Sequence, residues 1–285
     1  MTEIVTKNKK KIVTTLPSDI DQVGVVVKYD ILKYLRSRRL LGMIAIEALV
    51  LLLITALPPL LGHQYSSNAD SFINTYASFV TILVVIGATL FAGDAIVSEF
   101  QSHTGYLLFP NPVKRWVLLA GKFIASMGAM FLVLFIYYGV ALGLGLAITG
   151  SFSTLGAESL LLAMLYAVAA LAVGYLVSSA MKGATGSLIL TFALFLFIFS
   201  IVTQVLSVAS VDPWFILTFA GGTIGYITQV PYPVNSSNTF GNGGQTITMN
   251  TFIPDVGVSI AVMVGYIIVA LVLSYFFFKR REMAA

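Results

Sequence analysis

Residues 40–61 read LLGMIAIEALVLLLITALPPLL: twenty-two residues, a single charged side chain at Glu47, and no proline before the Pro58-Pro59 pair near the end. At about 1.5 Å of rise per residue, some 20 residues of helix cross the ~30 Å hydrocarbon layer of a bilayer, so the stretch has the length of one membrane crossing. Working outward, runs of similar character recur at Tyr76 to Val97, Val117 to Ile148, Leu160 to Ala180, Ala184 to Leu206 and Val256 to Phe278. Only 10% of the 285 residues are charged and 58% are hydrophobic, against about a quarter charged in an average soluble domain. A water-exposed surface cannot be covered from that supply. The sequence predicts an all-α polytopic membrane protein with six transmembrane helices.

The flanks set the orientation. Residues 1–21 are polar, with Lys7, Lys9, Lys10 and Lys11 followed by polar sequence rather than a short apolar core. They carry no secretory signal pattern and are expected to form a flexible cytoplasmic tail. From 22 to 39, Val23, Val26, Val27, Ile31, Tyr34 and Leu35 recur at helical spacing opposite Lys28, Lys33, Arg36, Arg38 and Arg39, the pattern of an amphipathic interfacial helix in contact with membrane lipid. All 16 basic residues lie before the first run, at Lys114, Arg115 and Lys122, at Lys182, or at Lys279, Arg280 and Arg281. The loops near 62–75, 149–159 and 207–255 have none. Because basic loops stay on the cytoplasmic side, this alternation places both termini in the cytoplasm, with the plasma membrane as the expected location. The third run is overlong, so its first turns are expected to project into the cytoplasm. Lys182-Gly183 makes a tight turn between the fourth and fifth spans, which then form an antiparallel pair.

The polar external insertion, 207–255, precedes the last span. Asp212 to Leu217 mixes Pro213 and Trp214 with aliphatics, as an interfacial or re-entrant helix would. Asn242-Gly243 followed by the alternating Gln245 to Met249 predicts a small hairpin. Asn235-Ser236-Ser237 fits the glycosylation acceptor pattern, and its competing reading is a plain polar loop.

Several chemistries are not supported. The net charge of +4 is explained by basic loops rather than by a patch shaped for nucleic acid. Cysteine is absent, which removes disulfides, thiolate metal sites and cysteine nucleophiles. His63 has no second histidine or carboxylate cluster at ligand spacing, so no metal is expected. Gly139, Gly143 and Gly145, and Gly183 with Gly186, suit close helix packing. No paired carboxylates, Ser-His-Asp set or cofactor box points to catalysis. Glu47 lies eight residues beyond Arg39, about 12 Å along a helix. An ionised carboxylate at that depth is costly, so Glu47 should line a pathway, pair with a base or be protonated. A shallower helix register is the alternative.

Between the second and third runs, residues 94–115 read DAIVSEFQSHTGYLLFPNPVKR. Pro110 and Pro112 stop a short helix after Phe109. Tyr106, Leu107, Leu108 and Phe109 form an apolar face at the cytoplasmic side that needs a protein or lipid surface to cover it. The order of features here, an acidic residue ending the second span, then Glu99, a glycine, the Leu107-Leu108 pair, Pro112-Val113-Lys114-Arg115 and Lys122 opening the third, resembles the type-2 ATP-binding-cassette exporter permeases. The likeness covers most of residues 22–281; Thr104-Gly105 departs from it, since that family more often has Gly followed by Thr.

The resemblance implies a permease domain over 22–281 with a cytoplasmic coupling loop at 98–116. That loop would dock on a separate ATP-binding-cassette ATPase through Glu99, Tyr106, Leu107, Leu108, Phe109, Lys114 and Arg115. The alternative for the charged members is that they only solvate the loop at the lipid headgroups. The resemblance also implies a second permease chain, identical or related, and outward movement of an amphipathic or hydrophobic molecule, a peptide or a glycan-lipid. ATP and Mg would sit on the partner, because this sequence has no G-x-x-x-x-G-K-S/T phosphate loop and so no cofactor of its own. Two other classes compete: a gradient-driven secondary transporter or channel using Glu47, which lacks the expected internal repeat, and a non-transport scaffold presenting 207–255.

Overall fold

The computed structural model describes residues 18–101, 114–242 and 245–280, with backbone only at 238–242 and 245–249. Among the described residues, six helices are long and apolar enough to cross a membrane. In chain order the elements are α1 (Asp19–Leu35), α2 (Arg38–Leu60), α3 (Ala69–Ala92), the short α4 (Val97–Gln101), α5 (Arg115–Thr149) and α6 (Thr154–Ala180). Then come α7 (Ala184–Val208), with a π-helical stretch at Leu194–Phe199, the short α8 (Leu217–Gly221) and α9 (Thr223–Tyr226), a hairpin of β1 (Ser236–Asn242) and β2 (Gln245–Thr251), and α10 (Val256–Arg280).

Side-chain caps fix where several helices begin. Ser18 accepts from the Asp21 amide, Ser37 from Leu40, Asn68 from Asp70 and Ser71, and Ser153 from Gly156, each satisfying amides that a first helical turn leaves unpaired. The caps at Asn68 and Ser153 start α3 and α6 well before the expected Tyr76 and Leu160. The polar residues that these extra turns carry find partners within the protein. Asp70 accepts from Ser153 Oγ at 2.6 Å, and Asn74 donates to the Gly225 carbonyl at 2.8 Å and to Thr228 at 2.9 Å. Burial of partnered polar groups lets the helices lengthen at little cost.

α3 and α6 form the centre. Their apolar windows are 72% and 67% buried, against 22% for α2, 17% for α10 and 11% for α7. α6 packs along both α3 and α10, α5 lies against α3 and α6, and α2 covers α3 and α5 from outside. The crossing of α3 and α6 is close because Gly174 has no side chain; an added Cβ would stand 2.7 Å from that of Ala92. α1 lies along the start of α5, where a Cβ on Gly121 would come within 2.6 Å of Val26.

The segment before α10 differs from a surface loop. α8 and α9 pack among α3, α6 and α10 with Leu217, Ala220, Gly221, Thr223 and Ile224 buried. Gly221 sits against the ring of Tyr166, twelve residues into α6 and thus about 18 Å along it. The first helical turn begins only at Leu217, the last residue of the Asp212 to Leu217 stretch, since Pro213 lacks a helical donor and leaves the chain to turn first. The hairpin that follows pairs antiparallel with Asn242 opposite Gln245. An all-α description therefore holds for the spans but not for this segment, where a two-residue connection suits strands.

Candidate functional site

Among the described residues, the basic end of the bundle holds a dense polar cluster. Lys122 lies seven residues into α5 with its side chain 11% exposed, facing α1 and α4. Its ammonium donates to Glu99 Oε1 at 2.7 Å and to Asp30 Oδ2 at 3.2 Å, and Lys33 Nζ stands 3.8 Å from the same Glu99 oxygen. Two ammonium and two carboxylate groups make the set neutral, the condition under which charges tolerate burial. One turn deeper, Ser126 donates to the Lys122 carbonyl at 2.8 Å and lies 2.6 Å from the Tyr175 hydroxyl of α6 and 3.1 Å from that of Tyr34. Tyr34 donates to the Phe91 carbonyl at the end of α3 at 2.8 Å. Burial pushes the Tyr34 phenol up from its ordinary range, keeping it a neutral donor. Ser274 of α10 reaches the Tyr175 carbonyl at 3.2 Å.

A second link ties α2 to the turn after α3. Arg39 grips Asp94 with both terminal nitrogens at 2.6 Å and donates to the Leu90 carbonyl at 3.0 Å. The planar guanidinium matches a carboxylate in this two-bond form. Ser178 of α6 accepts from the Ile96 and Val97 amides at 2.9 and 3.1 Å, and Gln101 accepts from the Ala184 amide at 2.9 Å. α4 is thereby held to α5, α6 and the start of α7.

Of the residues expected to dock on an ATPase, Tyr106, Leu107, Leu108 and Phe109 lie outside the described residues. The other three already have partners within the chain. Glu99 belongs to the Lys122 cluster, Lys114 pairs with Asp19 of α1 at 2.6 Å, and Arg115 donates to the Phe278 and Lys279 carbonyls at 2.8 and 2.6 Å. Glu99 and Lys114, described residues on either side of 102–113, therefore both have partners that reach α1. Asp30 and Tyr34 were missed as site residues by the sequence reading. The only hints were an acid on a basic helix and a hydroxyl within an apolar stripe.

Glu47 is 1% exposed, and among the described residues neither of its oxygens has a hydrogen-bond partner. It points into the chain's own packing, with no basic residue beside it among those described. Asn235 Oδ1 accepts from the Ile253 amide at 2.6 Å at the base of the hairpin. Among the described residues no group of metal-ligating side chains forms.

A cavity of about 600 Å³ opens between α3, α7 and α8. Its wall mixes Ser78, Thr81, Thr203 and Gln204 with Phe195 and Phe219, and among the described residues no charged one lines it. The hydroxyls of Ser78 and Thr203 donate to carbonyls one turn back at 2.8 Å.

Residues 25–283 match the family described as ABC-2 family transporter protein. The chain belongs to this ABC-2 family. Among curated proteins it is similar to the "Probable ABC transporter permease protein NosY" of Stutzerimonas stutzeri, at 27% identity over 92% of this chain and 99% of that one. The ABC-2 chain is thus a multi-pass integral membrane protein of the ABC transporter permease type. Permease subunits of such transporters typically carry no ATPase site; the ATPase is a separate subunit.

Proposed function

We propose that this chain is the permease subunit of an ATP-binding-cassette exporter, inserted in the plasma membrane with both termini cytoplasmic, paired with a second permease chain and driven by two ATPase subunits. The observation that carries this reading is the anchoring of 98–116 at both ends to α1 and to the feet of the spans, in a chain of the ABC-2 family. A segment so held can receive a push and pass it on, whereas a loop that only solvates headgroups needs no such anchoring. Tyr106, Leu107, Leu108 and Phe109 supply the apolar contact with the ATPase, which binds ATP and Mg. Glu99, Lys114 and Arg115 hold the segment in place as well as bordering that contact. The cavity between α3 and α7 is where the cargo, an amphipathic or hydrophobic molecule, a peptide or a glycan-lipid, passes outward.

Co-purification tests the reading. The tagged chain extracted in mild detergent should bring down an ATPase carrying a phosphate loop. Replacing Leu107 and Leu108 by Asp should release that ATPase while the chain remains inserted. Recovery of the wild-type chain without any ATPase overturns the exporter assignment, and retention by the double variant overturns the docking assignment.

A further inference from the structure

We infer that Lys122 is a positioning residue for coupling: its ion pairs with Asp30 and Glu99 make α1, α4 and the first turns of α5 move as one body, so that α1 carries displacement into the bundle. The inference rests on the proposed exporter reading.

Three segments distant in sequence meet at one ammonium group. Glu99 belongs to the start of the 98–116 segment, Asp30 to α1 and Lys122 to α5, at 2.7 and 3.2 Å, with all three side chains between 11% and 17% exposed. A direct Glu99 to Asp30 contact would be repulsive; the Lys122 ammonium offsets that repulsion, and Lys33 of α1 adds a longer pair to Glu99 at 3.8 Å. The far end of the segment returns to the same helix through Lys114 and Asp19. Asp19 and Asp30 are eleven residues apart, so the two anchors stand about 16 Å apart along a single rigid helix. Val26 packs against Gly121 between them. A helix fixed at two points and packed at a third moves as a rod.

The rod has outlets. Tyr34 connects it to the Phe91 carbonyl of α3 and to Ser126, and Ser126 continues to Tyr175 of α6. The turn at Arg36 and Ser37 joins it to α2, whose Arg39 holds Asp94. Displacement of α1 therefore reaches α2, α3 and α6 through short polar contacts, while α7 is hydrogen-bonded at this end, among the described residues, through Gln101 and Gly93. Firm charge-assisted bonds at the input and a loosely held α7 beside the cavity describe a lever whose load is the α3 to α7 gap.

The absence of native cysteine makes the test direct. Spin labels placed by Tyr29→Cys on the outer side of α1 and Val208→Cys at the far end of α7, both exposed, report the distance of α1 from α7 in the complex with its ATPase in lipid nanodiscs. In the wild-type background and in Lys122→Arg, ATP should shift this distance. Lys122→Met leaves two buried carboxylates facing each other and could fail to assemble, so the deciding variant is the neutral triple Asp30→Asn, Lys122→Met and Glu99→Gln. It should keep the ATPase bound and hydrolysing but lose the ATP-dependent shift. A full shift in the triple variant overturns the inference, as does a stationary α1 in a wild-type complex that hydrolyses ATP; either leaves the exporter reading standing. An absent ATPase would already have ended that reading at co-purification.

Discussion

Glu47 sits inside apolar packing with neither oxygen partnered among the described residues. Leaving such a group unsatisfied costs about 1–3 kcal/mol, and leucine fills a similar volume without that penalty. Glu47→Leu is therefore expected to raise the thermal unfolding midpoint of the detergent-solubilised chain while leaving ATPase co-purification intact. A gain in stability accompanied by loss of transport would mark a residue kept for function; a fall in stability would mean that the carboxyl has a partner after all. Arg39 and Asp94 present the opposite case. Asp94→Asn removes the charge that holds Arg39, and because Arg39 is 43% exposed the loss is expected to be on the order of 1–2 kcal/mol rather than the ~3–5 of a fully buried pair. Unfolding of the purified variant measures it, with the effect growing weaker in high salt. The sequence made Glu47 visible because a lone charge in an apolar run needs explaining. Asp30 and Tyr34 were not visible, because their partners lie 92 residues away for Lys122 and Ser126 and 57 away for Phe91.

At the scale of elements, hydrophobic length alone located the six spans, and the caps at Asn68 and Ser153 account for most of the error in their outer ends. A Ser or Asn in a polar loop is unremarkable until its oxygen is seen to close a helix. The inward path of α8 and α9 was half legible: the mixed residues after Pro213 pointed to a helix near the membrane, yet depth depended on Gly221 meeting Tyr166. That contact makes a prediction. Gly221→Val would drive a branched side chain into the Tyr166 ring, whose carbon atoms an added Cβ already approaches at 2.8 Å, and overpacking of this kind costs about 1–3 kcal/mol. Maleimide labelling of Thr218→Cys should accelerate in this variant as the segment lifts. Tyr166→Phe removes a buried hydroxyl that lacks a partner among the described residues and should be neutral or stabilising.

For the whole molecule, the plan of spans followed from a simple physical demand, that backbone in hydrocarbon be satisfied within its own helix. The candidate site followed only in part, since the Lys122 cluster depends on how charges from α1, α4 and α5 converge in space, and spacing along the chain does not encode that convergence. Burial is also distributed unevenly. α3 and α6 are enclosed, while α7 presents Ile189, Phe197, Ile201 and Val205 outward. If a second permease chain covers this face, Phe197→Trp fluorescence should shift toward shorter wavelength on assembly. An unchanged spectrum would assign the face to lipid.

The sparse cover of α7 has a consequence for the life of the protein in the cell. The rest of the chain buries only 11% of the α7 apolar window, and three residues, Met181 to Gly183, separate it from α6. A newly made copy would thus leave the insertion machinery with one helix barely docked, and a helix in that condition is what membrane quality-control proteases seize. Abundance of this subunit should then track the supply of its assembly partners, with excess copies degraded, so that stoichiometry is set by turnover rather than by synthesis.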